Sequence, residues 1–282
     1  MEKEVLRISG LNYSYAGGRR QLFNGLTLSL LENRIYGLLG KNGTGKSTLL
    51  YLICGLLRAP RQSILFDGKD VSGRPVDVLR EIYLVPEELT LPNVSLKDSL
   101  EMHRRFYPNF SVQAFQQNLE AFELPLDLNQ AELSMGQKKR FAMSLALAAN
   151  TRLLLMDEPT NGLDIPSKSL FRKIVAGNMS EERTILISTH QVHDVEALLD
   201  HLVMLDERGV LLNASTASLT EEYTFSYRQA GDMAGVIYAE PTLQGNASIA
   251  HRRADDPETQ LNLELLFNAV TKGLLSETAN KE

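Results

Sequence analysis

The segment Gly40-Lys41-Asn42-Gly43-Thr44-Gly45-Lys46-Ser47 constrains this chain most, because it meets every fixed position of the phosphate-cradling pattern G-x-x-x-x-G-K-[ST]. Such a loop works between a buried strand and a helix. Both are legible: Arg34-Ile35-Tyr36-Gly37-Leu38-Leu39 reads as a short buried strand and Ser47 to Leu57 as an apolar helix. Glycines let the backbone turn tightly and bring successive N–H groups against phosphate oxygens, while the helix N-terminus adds partial positive charge. The loop residues Asn42, Gly43, Thr44, Gly45, Lys46, Ser47 and Thr48 are therefore expected to bind a nucleoside triphosphate. Lys46 would reach the β- and γ-phosphates and the Ser47 hydroxyl would ligate Mg²⁺.

The bulk numbers narrow the setting. At 282 residues and 43% apolar, the chain has material for one large or two small packed domains. No run approaches the roughly 18 apolar residues that cross a bilayer. Met1-Glu2-Lys3-Glu4 lacks the apolar core of a secretion signal, so a cytosolic chain is expected. The single cysteine, Cys54, sits among Leu52, Ile53 and Leu56 and reads as a buried packer, which excludes a disulfide framework. Net charge is −6, and the ten acidic against five basic side chains of residues 211–282 carry most of it, so the basic surplus of a nucleic-acid binder is missing. The main basic run, Lys138-Lys139-Arg140, reads as the solvated first turn of a helix.

Along the chain, Val5 to Leu31 alternates with period two around a Gly17-Gly18 turn, an antiparallel β pattern. Ser63 to Phe66 with its Asp67-Gly68 turn, and Ile82 to Val85 stopped by Pro86, read as further strands. From Ser95 to Leu124 the pattern turns helical, broken at Pro108 and Pro125, as in an inserted helical subdomain. Helices are expected at Gln137–Ala149, Ser167–Met179 and Asp194–Leu199, with buried strands at Leu153–Met156, Thr184–Ser188 and Leu202–Leu205. Beyond Gly209 the rhythm changes to short strand-like pieces such as Gly235 to Tyr238 and a helix-like Leu261 to Lys272; the acidic Asp255-Asp256-Pro257-Glu258 reads as a solvated loop.

Two acids, Asp157 and Glu158, close the apolar run Leu153-Leu154-Leu155-Met156, where side chains at the carboxyl end of a strand face a ligand. Asp157 would hold Mg²⁺ and Glu158 would orient and deprotonate an attacking water. Leu133-Ser134-Met135-Gly136-Gln137 precedes a helix and supplies a hydroxyl, a glycine and helical N–H groups, the parts of a second phosphate grip.

With that pentapeptide the set resembles the ABC-type ATPases, whose signature motif it matches. In the same order, Leu153 to Asp157 resembles their second nucleotide motif, Asn161-Gly162-Leu163-Asp164 their D-loop, and His190 their switch histidine. Tyr15 falls where their adenine-stacking aromatic lies. The resemblance spans about Val5 to Asp206. It implies an α/β fold: a P-loop NTPase core with an antiparallel β subdomain and an inserted α-helical subdomain, plus a small C-terminal α+β appendage. The expected division is 1–210, with the helical subdomain at about 88–135, and 211–282. The resemblance further implies ATP and Mg²⁺, catalysis by Glu158, His190 and Lys46, and a head-to-tail pair of cassettes. In that pair Ser134, Gly136, Gln137 and Asp164 complete the nucleotide site.

One departure stands out. Where the family carries a glutamine, this chain has Val85-Pro86-Glu87-Glu88, and Glu87 is the expected substitute as an Mg²⁺ ligand alongside Ser47 and Asp157; a solvated acidic turn is the plain alternative. Some family members that resemble exporter ATPases carry a similar Pro-Glu-Glu. The expected function is the ATP-hydrolysing subunit of an ABC transporter, driving export through a membrane permease on a separate chain at the inner face of the membrane. The rival is a soluble ABC-type ATPase acting on nucleic acid, ribosomes or cofactor assembly. Only 87 positions separate Ser47 from Ser134, too few for the long coiled coil of a DNA-repair member.

Overall fold

A computed structural model describes residues 3–17, 21–89, 94–125, 129–229, 231–253 and 255–275. Gly18 of the expected glycine turn and residues 276–282 of the tail lie outside them.

The chain opens with β1 (Glu4–Tyr13) and β2 (Phe23–Leu31), then enters β3 (Ile35–Gly40), the glycine loop and α1 (Lys46–Ile53). β4 (Ile64–Phe66), β5 (Lys69–Asp70), a short α2 (Val76–Leu79) and β6 (Ile82–Val85) follow. Three helices come next, α3 (Leu96–Phe106), α4 (Val112–Ala121) and α5 (Met135–Ala148), then β7 (Leu153–Asp157), α6 (Ile165–Gly177), β8 (Thr184–Thr189), β9 (His201–Asp206) and β10 (Gly209–Ser215). The C-terminal part holds α7 (Thr216–Glu222), β11 (Tyr223–Arg228), β12 (Val236–Thr242), β13 (Gly245–His251) and α8 (Leu263–Thr271).

These strands form three sheets. The central one runs β10-β9-β3-β8-β7-β6, parallel except for β10, and every residue of β3, β7 and β8 is buried, as expected of strands covered on both faces. The second sheet, β2-β1-β4-β5, is antiparallel and packs the period-two apolar faces of β1 and β2 against α1 and the central strands. The third, β11-β13-β12, is antiparallel, with Pro241 on the edge strand β12 where a missing N–H does no harm.

Local chemistry sets the helix ends. Ser134 Oγ accepts from Gln137 N at 3.3 Å while Gln137 Oε1 accepts from Ser134 N at 2.9 Å, a reciprocal box that starts α5. Asp164 Oδ1 accepts from Ser167 N at 2.9 Å and starts α6 with a proline in its first turn. Expectation fails in two places. The helix expected to reach Leu57 stops at Ile53, because Gly55 turns at φ 74° and Arg74 takes the carbonyls of Gly55 and Leu56 at 2.6 and 3.1 Å. The helix expected over Asp194–Leu199 is instead a pair of 3₁₀ turns, Val192–Asp194 and Glu196–Leu198; Arg172 Nη1 takes the Asp194 carbonyl at 3.0 Å, and Val195 leaves helical geometry between them. Residue 210, the expected end of the first domain, lies inside β10, the edge of the central sheet.

Candidate active site

The loops leaving β3, β6, β7 and β8 all emerge at the carboxyl edge of the parallel sheet, the usual ligand edge of such sheets. The glycine loop turns through Gly43 at φ 84° and Gly45 at φ 97°; a Cβ on Gly43 would meet open space, so the loop's outer face is free for a ligand. Lys46 is buried, and its ammonium donates to Gly40 O at 2.7 Å and Lys41 O at 3.4 Å. Burial pushes the Lys46 amine down, while the carboxylates of Glu158, Asp157 and Glu87 push the other way. Thr44 Oγ1 donates to Lys41 O at 2.9 Å, and Asn42 is exposed beside it. Tyr15, half exposed, shares a 2.7 Å hydrogen bond between its hydroxyl and Thr48 Oγ1, which ties it to the first turn of α1.

Register sets the acids. Asp157 and Ser188 are cross-strand partners, and Ser188 Oγ donates to Asp157 Oδ1. Asp157 Oδ2 is buried with no hydrogen-bond partner among the described residues. A carboxylate oxygen held out of water this way fits a hard cation, and with the Ser47 hydroxyl and the Glu87 carboxylate the donors are all oxygen, which suits Mg²⁺. Glu87 is half-buried and accepts from Asn161 Nδ2 at 3.0 Å, whereas Glu88 is exposed.

Glu158 is more constrained. Its Oε2 accepts from Thr189 Oγ1 at 3.0 Å, and its Oε1 accepts from His190 N at 3.0 Å and from His190 Nδ1 at 2.7 Å. Because an ionised carboxylate only accepts, the Nδ1 of His190 carries the proton and Nε2 is left for a ligand. His190 lines a cavity of about 370 Å³ together with Gly40, Lys41 and Asn42.

The structure therefore gathers Lys46, Asp157, Glu158, Glu87 and His190 at one edge. Ser134 and Gln137 form the α5 cap, with Gly136 in the helix's first turn, and Asp164 caps α6; no hydrogen bond joins these four to Lys46 or Glu158 among the described residues.

Comparison with known proteins decides the family. The ABC transporter family model matches residues 23–161. The ABC transporter ATP-binding protein YtrB of Bacillus subtilis (strain 168) is 31% identical over 204 residues, which is 72% of this chain and 70% of YtrB. This chain belongs to the ABC transporter ATP-binding family. It is also similar to the lantibiotic transport ATP-binding protein SrtF of Streptococcus pyogenes, 33% identical over 220 residues, 74% of this chain and 90% of that protein. The solved structure of cbiO1 from Clostridium perfringens, part of the ABC transporter complex cbiONQ, matches with a TM-score of 0.63 and 27% identity over 76% of this chain and 89% of that chain. The expected P-loop α/β fold is thus the fold of this ABC cassette, and the cassette is an ATPase.

Three site residues of the cassette escape a reading of the sequence. Ser188 and Thr189 close an apolar strand, and that polar ending is the signal that could have found them. Lys139 is the third. Lys138-Lys139-Arg140 is not a solvated turn: Lys139 is only 5% exposed and donates to Glu158 O at 3.0 Å, while Arg140 Nη1 donates to Phe122 O at 3.2 Å. Burial pushes the Lys139 amine down, against the opposing pull of Glu87, Glu158 and Asp157.

Proposed function

We propose that this ABC cassette hydrolyses ATP at the sheet edge to drive transport through a membrane permease carried on another chain. The observation that carries the reading is the Glu158 carboxylate, held on both oxygens by Thr189 and His190 beside the buried ammonium of Lys46. The triphosphate lies along the N–H groups of Gly43 to Ser47, with Asn42 and Thr48 at the loop's two ends, Lys46 on the β- and γ-phosphates and the adenine against Tyr15. Ser47, Asp157 and Glu87 hold Mg²⁺, which when bound offsets phosphate charge.

Glu158 orients a water in line with the γ-phosphorus and takes its proton; the new P–O bond forms as the bond to the β-phosphate oxygen breaks, giving ADP and phosphate. The ammonium of Lys46 meets the charge that develops on the γ-phosphoryl group, and the Nε2 edge of His190 joins it as a donor when the ring carries a proton on both nitrogens. Ser134, Gly136 and Gln137, at the start of α5, and Asp164 serve the nucleotide of a second cassette in a head-to-tail pair. That reading accounts for the absence, among the described residues, of a hydrogen bond from these four to Lys46 or Glu158.

No helix among the described residues is long and apolar enough to cross a membrane, so transport needs a separate permease. The cbiONQ complex, of which cbiO1 is part, offers a parallel. We place the cassette at the inner membrane face, with the permease between the central sheet and the helical region of α3 and α4. Export is the direction we infer, from the Pro86-Glu87-Glu88 turn. The nucleotide-binding domain extends through β10 at Ser215, and the third sheet with α7 and α8 forms the accessory unit.

The test is the Glu158→Gln variant. It is expected to bind ATP with unchanged affinity, lose turnover, and recover a multi-span membrane protein from detergent-solubilised membranes in Mg·ATP. Normal turnover removes Glu158 from its role, and recovery of ribosomal or nucleic-acid proteins alone overturns transport.

A further inference from the structure

Glu158 stands in the left-handed region at φ 44°, a conformation that a residue with a Cβ holds only when its surroundings fix it. Three hydrogen bonds do so. Glu158 N donates to Ser188 O at 2.9 Å, Asn161 N donates to Glu158 O at 3.2 Å, and Lys139 Nζ donates to the same carbonyl at 3.0 Å. The first two come from the neighbouring strand and from the turn itself. The third crosses from α5 and is the only one made by a charge.

That charge is expensive where it sits. Lys139 is 5% exposed, and among the described residues it has no carboxylate within ion-pair distance and one hydrogen-bond partner, the Glu158 carbonyl. A surface lysine would keep its ammonium in water and bury only its stem. Here the ammonium is spent on the backbone of one residue, whose side chain is in turn gripped by Thr189 and His190. Three hydrogen bonds on the carboxylate and two on the carbonyl together fix the direction of the Glu158 side chain. Burial and the pull of three carboxylates on the Lys139 amine agree with that placement.

We propose that Lys139 is a positioning residue for ATP hydrolysis: its ammonium locks the left-handed turn at Glu158 and so aims the carboxylate at the attacking water. The inference rests on the reading of Glu158 as the base, and the experiment separates the two. Lys139→Met keeps the stem and removes the donor; Lys139→Arg keeps a cationic donor; Glu158→Gln is run beside them. Steady-state hydrolysis, equilibrium ATP affinity and melting temperature are measured for each.

The expected result for Lys139→Met is a kcat at least about tenfold down, with ATP affinity within about twofold of the parent, because the group acts after binding. Lys139→Arg is expected to recover most of the rate. Should Lys139→Met fail to fold, Lys139→Leu, shorter and without a donor, must show the same loss of kcat at unchanged affinity. An unaltered kcat in Lys139→Met or Lys139→Leu beside an inactive Glu158→Gln overturns the positioning role alone. Equal losses of rate, affinity and melting temperature in Lys139→Met and Lys139→Arg also overturn it, by making Lys139 a packing residue. Full turnover in Glu158→Gln removes the base itself.

Discussion

Lys46 donates to the carbonyls of Gly40 and Lys41, which holds its ammonium against the first residues of the glycine loop. A charged hydrogen bond is worth about 1.5–3 kcal/mol, so Lys46→Ala is expected to weaken ATP binding roughly 10- to 100-fold. A titration with ATP checks this, and affinity within twofold of the parent contradicts the assignment. Gly45 is constrained differently: at φ 97°, a Cβ would lie 2.8 Å from Phe23 Cζ and 2.9 Å from Cε1. Gly45→Ala is expected to cost about 2–3 kcal/mol of stability, seen as a lower melting temperature, since strain and overpacking add. Both residues are legible in the sequence, because phosphate binding fixes glycine and lysine at set spacings within eight positions. Lys139 is not legible. Its partner lies nineteen positions later, and charge in a sequence looks solvated until the fold buries it.

At the scale of elements, legibility followed burial on two faces. β3, β7 and β8 are continuous apolar runs because helices or sheets cover both sides, and that pattern has no rival reading of the same length. The 3₁₀ turns at Val192–Asp194 and Glu196–Leu198 were hidden, because the bond from Arg172 that interrupts them comes from another helix. β11, β12 and β13 mix exposed, half-exposed and buried positions; β12 and β13 close a local hairpin at Thr242 and Gly245, but β11 reaches β13 past the intervening β12, a pairing that no local signal announces. α8 was legible as a helix, yet its docking was not: Leu263, Leu265, Leu266, Ala269 and Val270 are buried in the same apolar core as Val195, Leu198 and Leu199, which follow His190. Leu266→Ala is therefore expected to destabilise the chain by about 2–5 kcal/mol in one transition of a denaturant titration. A separate early transition would instead mean that the accessory unit unfolds by itself.

For the whole molecule, that shared core couples the accessory unit to the catalytic edge, and the coupling carries a titratable contact. His193 Nε2 meets Glu264 Oε2 of α8 at 2.9 Å, with Glu196 Oε2 at 3.6 Å from Nδ1, and Glu196 Oε1 accepts from Leu263 N at 3.2 Å. The hydrogen bond to Glu264 raises the His193 pKa; burial opposes it, and the charges of Glu196 and Glu264 add to the rise. A pKa raised in the folded chain adds stability that is complete below the unfolded value of about 6.5 and is lost as pH rises through the folded value. Both side chains are exposed, at 68% and 63%, so screening holds the contribution under about 1 kcal/mol. What the contact fixes is local: it straps the loop three residues after His190 to α8, along the cavity that Glu264, Phe267 and Asn268 share with the glycine loop. Glu264→Gln is expected to loosen that loop at pH 6, where the parent histidine is charged, and to change little at pH 8.5. Amide hydrogen exchange over residues 190–196 reads this directly. Faster exchange in the variant at pH 6 alone establishes the strap, whereas an equal effect at both pH values assigns the contact to packing and takes the charge out of it.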